Sequence, residues 1–248
     1  MDLERIIAEI LRLHKRSNDS DASITRFFAK LKDGSATYAD ALKFAGRSGS
    51  GLAKILTEQL EAAYPAGIPP DVLETVVQAV LTDECKSVLD ASGRVQKGIN
   101  RRARINLEPV DLSVSSDRIN GLVEHWKDAG LGDAVETISN LTRSEVDTTA
   151  RKNAEFQDAS GLEVTVSRYY DDVGVNHGKD ACQWCLDRCG ENVPYKEAYD
   201  RGMFERHPGC GCTLEYHTRK GSKRQADWKR NAWEDMPGTL ERRRTYGL

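Results

Sequence analysis

Cys182-Gln-Trp-Cys185 and, after a 21-residue interval, His207-Pro-Gly-Cys210-Gly-Cys212 are the residues of this chain whose types and spacing suit chemistry best. A CxxC on a tight turn aims two thiolates at one point. Zinc takes thiolate and imidazole donors in a tetrahedron, with Zn–S about 2.3 Å and Zn–N about 2.0–2.1 Å. Pro208 and Gly209 bend the chain between His207 and Cys210, and Gly211 eases a turn between the last two cysteines. That gives five candidate ligands for four places (Cys182, Cys185, His207, Cys210 and Cys212), with Cys189 as a more distant sixth. A thioredoxin-like role for the CxxC would need a helix N-terminus in a βαβ setting, and the sequence around Cys182 has none. A catalytic zinc keeps an open position beside an acid or base, as in the H-x-E…P-C-x-x-C pattern, and His207 is not followed by x-Glu. A Cys-rich, saturated set therefore points to a closed, structural zinc. Its role would be to hold two short strands and a loop of about 20 residues that have no core of their own.

The elements that must carry these residues read as mainly α, with a small α+β region at the C-terminal zinc knot. Residues 2–16 form an amphipathic helix, with Leu3, Ile6, Ile7, Ile10, Leu11 and Leu13 at helical spacing, and 17–20 form a polar break. Two more helices follow over 21–32 and 36–63, and the glycine-rich 46–51 stretch is a candidate loop splitting the second. Asp71 is expected to cap a helix bearing Val72, Leu73, Val76, Val77, Val80 and Leu81, with Cys85 as a buried or half-buried helix residue. Residues 92–114 read as mixed and 115–129 as helix. Residues 132–159 give the longest uninterrupted helical pattern. Leu162, Val164 and Val166 alternate as one half-buried strand, and Leu214 and Tyr216 as a second. The expected organisation is an elongated helical part over 1–130, a long helix leading into a two-stranded, zinc-stapled module over 131–217, and a basic tail over 218–248.

The net charge of −3 conceals an asymmetry: 218–248 hold nine Lys or Arg against four acids. A basic tail suits an anionic partner. If that partner is nucleic acid, Lys223, Arg224, Lys229 and Arg230 are the candidate phosphate contacts, with Trp228 and Trp233 nearby. No apolar run approaches the roughly 18 residues of a membrane span. The opening MDLERIIAEILRLHKR lacks the unbroken apolar core of a signal peptide, so synthesis inside the cell is expected. Five of the six cysteines lie within 31 residues, and in a reducing compartment that favours a metal site over disulfides.

The order of the C-terminal motifs resembles a known family. A long helix carries Thr142-Arg-Ser-Glu-Val146 and then Asn153; a Gly-ended turn and a strand follow, then CxxC, a loop, His-Pro-x-Cys-x-Cys and a closing strand. Over 140–217 this resembles the Mu F-like minor head proteins, or head morphogenesis proteins, of tailed bacteriophages. Gly211 stands where that family often has Arg, and Cys189 is an addition. The resemblance implies a low-copy, non-enzymatic component of the virion head, made in the bacterial host cytoplasm. It would associate with the portal or the major capsid protein on the inner face during procapsid assembly, in some cases touching packaged DNA. It also implies a structural role for Arg143, Glu145 and Asn153. Arg143 and Glu145 lie two apart and cannot share a helix face, so each is expected to reach a different partner, one of them the zinc knot.

Two other readings compete with the head protein. A zinc-containing nucleic-acid-binding protein would rest on the tail, with affinity falling steeply in salt. A zinc hydrolase or nuclease would need an open site. The sequence offers no HExxH and no nucleophile–base pair for one, and only His177 as a loose candidate.

Overall fold

A computed structural model of the chain describes residues 2–170, 182–207 and 209–219. Its elements run α1 (Leu3–Ser20), α2 (Ala22–Asp33), α3 (Tyr38–Ala63), α4 (Pro70–Arg102), α5 (Ser116–Ala129), α6 (Ala134–Ala159), β1 (Glu163–Tyr169), α7 (Gln183–Asp187), β2 (Gly190–Pro194), α8 (Tyr195–Asp200) and β3 (Thr213–Arg219). The first two residues of the expected tail, Thr218 and Arg219, end β3; the rest of it, including Lys223, Arg224, Lys229 and Arg230, lies outside the described residues, as do Trp228, Trp233, His177 and Pro208.

The mainly helical expectation holds, and several boundaries move. The polar stretch 17–20 is the last turn of α1. The break falls on the single residue Asp21, whose carboxylate accepts from the backbone N–H of Ser23 and Ile24 and starts α2. Asp71 is not a cap: Pro69 occupies the cap position, Pro70 begins α4, and Asp71 sits in the first turn, where its charge suits the helix dipole. α4 runs on to Arg102, through the first part of the stretch expected to be mixed. Its apolar periodicity fades there because the inward face turns polar, with Ser92, Gln96 and Asn100 buried.

α3 is continuous through the glycine-rich stretch, which is where α6 crosses it. A Cβ built on Gly49 would sit 2.5 Å from Thr142 Oγ1 and 3.1 Å from the Ile138 carbonyl, and one on Gly46 would meet Arg143 Cδ at 3.2 Å. Thr142 Oγ1 donates to the Ala45 carbonyl at 2.9 Å across this contact. The glycines thus give up about 1 kcal/mol each of helix propensity and allow two backbones to touch. Gly49→Ala is expected to lower stability by about 1–3 kcal/mol through overpacking, measured by urea denaturation. A change within 0.5 kcal/mol would show that the crossing yields freely.

Among the described residues two large hydrophobic clusters make the core, beside a small one of the cysteines. One joins Ile10, Leu52, Leu56, Val76, Val80, Ile119, Trp126 and Ile138 among α1, α3, α4, α5 and α6. The other joins Phe27, Phe44, Val88, Val95, Val146 and Ala150 to Val164, Val166, Leu214 and Tyr216 of the sheet. Both clusters cross residue 130, so the expected division there is not a gap in the core, and the sheet folds back on the helices rather than extending beyond them. A buried hydrogen-bond network fixes that docking. Tyr38 and Tyr216 hydroxyls both donate to Gln96 Oε1 (2.6 and 2.5 Å), and Gln96 and Gln157 both donate to Asn100 Oδ1 (2.6 and 2.8 Å).

Among the described residues the sheet has three strands, not the expected two, in the order β2-β1-β3 and antiparallel throughout. β2, Gly-Glu-Asn-Val-Pro, escapes a search for alternation because only Val193 is buried. β1 presents Val164, Val166 and Arg168 in one register opposite Thr218, Tyr216 and Leu214. The first two enter the core, and the third, buried at 2 % exposure, reaches the cysteines.

A second buried polar group joins α1, α3 and α4. His14 Nε2 lies 3.1 Å from Ser48 Oγ, and His14 Nδ1 lies 3.7 Å from Glu84 Oε2. The acid–imidazole–hydroxyl order is that of an activated nucleophile, but Ser48 is fully buried, out of a substrate's reach. Burial raises the Glu84 carboxyl above its ordinary range, against the opposing pull of His14 and Ser48. A carboxyl raised in the folded state favours folding most below its unfolded pKa, and that contribution is lost as pH climbs through the folded value. Glu84→Gln, which mimics the protonated form, is therefore expected to melt above wild type at pH 7 and level with it near pH 4. A lower melting temperature at pH 7 would show that the carboxylate is a net stabiliser.

Candidate metal centre

The five proposed ligands come from two short pieces of chain. Cys182 precedes α7 and Cys185 lies within it, so one helical turn presents both thiols on the same side. His207, Cys210 and Cys212 lie on the segment entering β3, turned by Gly209 at φ +71°, a left-handed conformation that glycine adopts without strain. Cys185, Cys210 and Cys212 are buried, and Cys182 and His207 are half-buried.

These side chains converge. Cys185 Sγ is 2.9 Å from His207 Nε2 and 3.7 Å from Cys210 Sγ, and Cys182 Sγ is 3.5 Å from the same His207 nitrogen. Two overlapping groups result: Cys182, Cys185 and His207, and Cys185, Cys210 and Cys212. Within each, all donor atoms lie within 4.8 Å of one another. Cys189, four residues beyond Cys185, packs against the cluster. Trp184 covers the site edge-on to the His207 ring at 5.0 Å, with the Arg188 guanidinium 3.8 Å over its own face.

Arginines anchor the knot to the helices. Arg143 donates to the Cys210 carbonyl at 2.7 Å and the Gly211 carbonyl at 2.9 Å. One turn along α6, Asp147 receives Arg206 in a bidentate pair at 2.7 and 3.2 Å, with both side chains at most 3 % exposed. Arg206 in turn donates to the Cys210 carbonyl at 2.8 Å and the Cys212 carbonyl at 3.1 Å. Arg143 and Asp147, four apart, therefore grip one loop. Glu145 faces away from it and pairs with Arg118 of α5 at 2.9 Å. Asn153 is buried too, accepting from the Val110 backbone N–H at 2.9 Å and so holding the segment between α4 and α5. The three residues singled out in α6 thus serve three different neighbours.

The chain matches no family model, no curated protein and no solved structure.

The donor set fits a soft divalent cation, and one observation tests the fit independently. Arg168 donates to the Met203 and Glu205 carbonyls and to Cys210 Sγ at 3.3 Å, and no carboxylate is among its partners within the described residues. A buried guanidinium needs a counter-charge, and Cys210 as a thiolate supplies it. Without a cation that thiolate is costly: the Cys212 hydrogen bond, then burial, push Cys210 up to about 12, and burial with Cys210 nearby pushes Cys185 up to about 12. A bound metal reverses the balance, since coordinated thiols are deprotonated. Cys85, far along α4, is also pushed up to about 12, by burial and then by Glu145 and Glu84, and is an inert core thiol. Arg168, Asp147 and Arg206 were not among the residues singled out from sequence. The available signals were an arginine in register with two inward valines, and an acid four residues after Arg143.

Proposed function

We propose that this chain is a non-enzymatic structural protein of the tailed-bacteriophage head, acting at the portal or the inner capsid face during assembly, and that a structural zinc ion closes its C-terminal third. The observation carrying this reading is the convergence of Cys182, Cys185, His207, Cys210 and Cys212, held by Arg143 of the long helix, in the motif order of the Mu F-like family. A closed thiolate-rich site supplies folding free energy on the order of 10 kcal/mol to a small module. Here it holds the loop between β2 and β3 against α6. No helix among the described residues is long and apolar enough to cross a membrane.

The test has two parts. Protein purified without chelators is expected to contain stoichiometric zinc and to release protons as it takes up the metal, so that zinc affinity falls on acidification. Metal-free protein with an unchanged melting temperature would remove the physical half of the reading. The assembly half predicts co-purification with the portal protein encoded in the same genome. Failure to associate with assembled portal or procapsid would overturn it while leaving the metal site intact.

A further inference from the structure

We propose that the C-terminal end of α4 is a nucleic-acid site. Arg101, Arg102 and Arg104, with Lys32 of the adjoining α2, bind the phosphodiester backbone, and the basic tail continues the same surface from Arg219. The metal centre plays no part in it.

The charge at this end is exposed and uncompensated. Lys32, Arg101, Arg102 and Arg104 are all exposed. Among the described residues the side chains of Lys32, Arg101 and Arg104 make no hydrogen bond or ion pair. Arg102 donates to the Gly34 and Ala36 carbonyls, which carry no net charge. Of the neighbouring acids, Asp40 is paired with Lys30 at 2.7 Å and Glu108 with Lys97 at 3.0 Å. Asp33 accepts from the Ser35 backbone N–H at 2.8 Å. Backbone contact brings the two helices together here: a Cβ built on Gly98 would lie 3.1 Å from the Gly34 carbonyl, two residues beyond Lys32.

Arg104 stands where the backbone favours another residue. Its φ is +54°, just past the end of α4, and its N–H bonds the Arg101 carbonyl at 3.1 Å. Glycine or asparagine is the ordinary occupant of a left-handed position that ends a helix. The helix dipole favours a cation there, but Arg101 and Arg102 already supply two. No contact of the Arg104 side chain within the described fold offsets the strain.

The point where the tail departs is the second, independent observation. Thr218 Oγ1 donates to Gln157 Oε1 at 2.5 Å, and Gln157 Nε2 donates to Asn100 Oδ1 at 2.8 Å. Arg219 follows Thr218, and Arg101 follows Asn100, so two hydrogen bonds link the end of β3 to the last turn of α4. The nine Lys or Arg of 218–248 begin at Arg219. Cations without fixed partners impose no geometry. That suits a repeating chain of phosphates better than the fixed carboxylates of a folded acidic protein. Trp228 and Trp233 stand among the tail cations in the sequence, a pairing of residue types suited to stacking on bases.

The full chain is titrated by fluorescence anisotropy against labelled duplex DNA of arbitrary sequence, the single strand alone, and poly-glutamate, in about 50 to 200 mM salt. Both DNAs are expected to bind, the duplex with the steeper salt dependence because its charge density is higher. Arg101→Ala with Arg104→Gly should make the log–log salt slope shallower by about 2, about 1 for each contact. This variant should melt no lower than wild type, because glycine relieves the left-handed position. Arg101→Lys with Arg104→Lys keeps the charge and should keep the slope. Adding Lys223→Ala and Arg224→Ala to the first variant should flatten the slope further, as one shared ligand requires. An unchanged slope in the first variant would overturn the site, even if the tail variant alone lost binding. Absence of DNA binding would overturn it too, as would a lysine variant that lost the slope. Poly-glutamate binding as tight as DNA would also overturn it and identify an acidic protein as the partner.

Discussion

Cys185→Ser is expected to abolish metal retention and to loosen the cysteine-bearing pieces 182–189 and 209–212 while the helices and the sheet packed on them stay folded. Cys185 is fully buried and common to both donor groups, with its sulfur 2.9 Å from His207 Nε2 and 3.7 Å from Cys210 Sγ. Serine offers a poor ligand for zinc and strands a hydroxyl among apolar and cationic neighbours. The loss is on the order of 10 kcal/mol of local stabilisation, while the buried Val193, Tyr195, Ala198, Met203, Phe204, Leu214 and Tyr216 still hold the sheet and α8 to the helices. The cluster around Leu52, Val76, Trp126 and Ile138 makes no contribution to the site and has its own core, so far-UV circular dichroism falls modestly. Limited proteolysis reports the difference: cleavage within 182–189 and 209–212 appears in the variant and not in the metal-loaded wild type. A variant that keeps its metal and its protease resistance would show that Cys185 is merely a core thiol.

Asp147→Ala is expected to cost about 3–5 kcal/mol of global stability, the penalty of leaving a buried guanidinium unpaired. Arg206 has its carboxylate partner removed while its carbonyl contacts to Cys210 and Cys212 keep it in place. Metal affinity should fall with stability, since the same arginine sets the backbone of two ligands. Adding Arg206→Met to the variant removes the orphaned charge and should restore a large part of the loss, giving a coupling energy well above that of a surface pair in a double-mutant cycle. A single-variant cost below about 1 kcal/mol would mean that water or a rearranged partner reaches Arg206 readily.

What the sequence reveals depends on whether the residues act locally. The cysteine spacing is local, and the thiols gather as the spacing suggests. Long apolar stripes are local, and α1, α5 and α6 follow them within a few residues. Continuity of α3 through Gly46 to Gly51 is decided by a partner 93 residues away, Ser139, whose hydroxyl donates to the Gly46 carbonyl; propensity alone reads a break. α4 conceals its second half because Gln96 and Asn100 are polar yet buried, and only the distant Tyr38, Tyr216 and Gln157 make that arrangement tolerable. β2 has a single inward side chain and exists because β1 offers it a paired edge. Asp147 is inconspicuous in a helix rich in charges until Arg206 is seen beside it.

The central position of β1 imposes an order on biosynthesis. On the ribosome β1 emerges before both of its neighbours, and until β2 and β3 are made its backbone presents two open edges, with Val164 and Val166 on the face turned to the core. Unpaired edges of this kind recruit other nascent chains. The helices already completed can shelter the valines at once, but the edges close only when residues from both sides of the thiol cluster have arrived. Expression in metal-starved cells should therefore shift this protein toward inclusion bodies, even though its helical part is complete early.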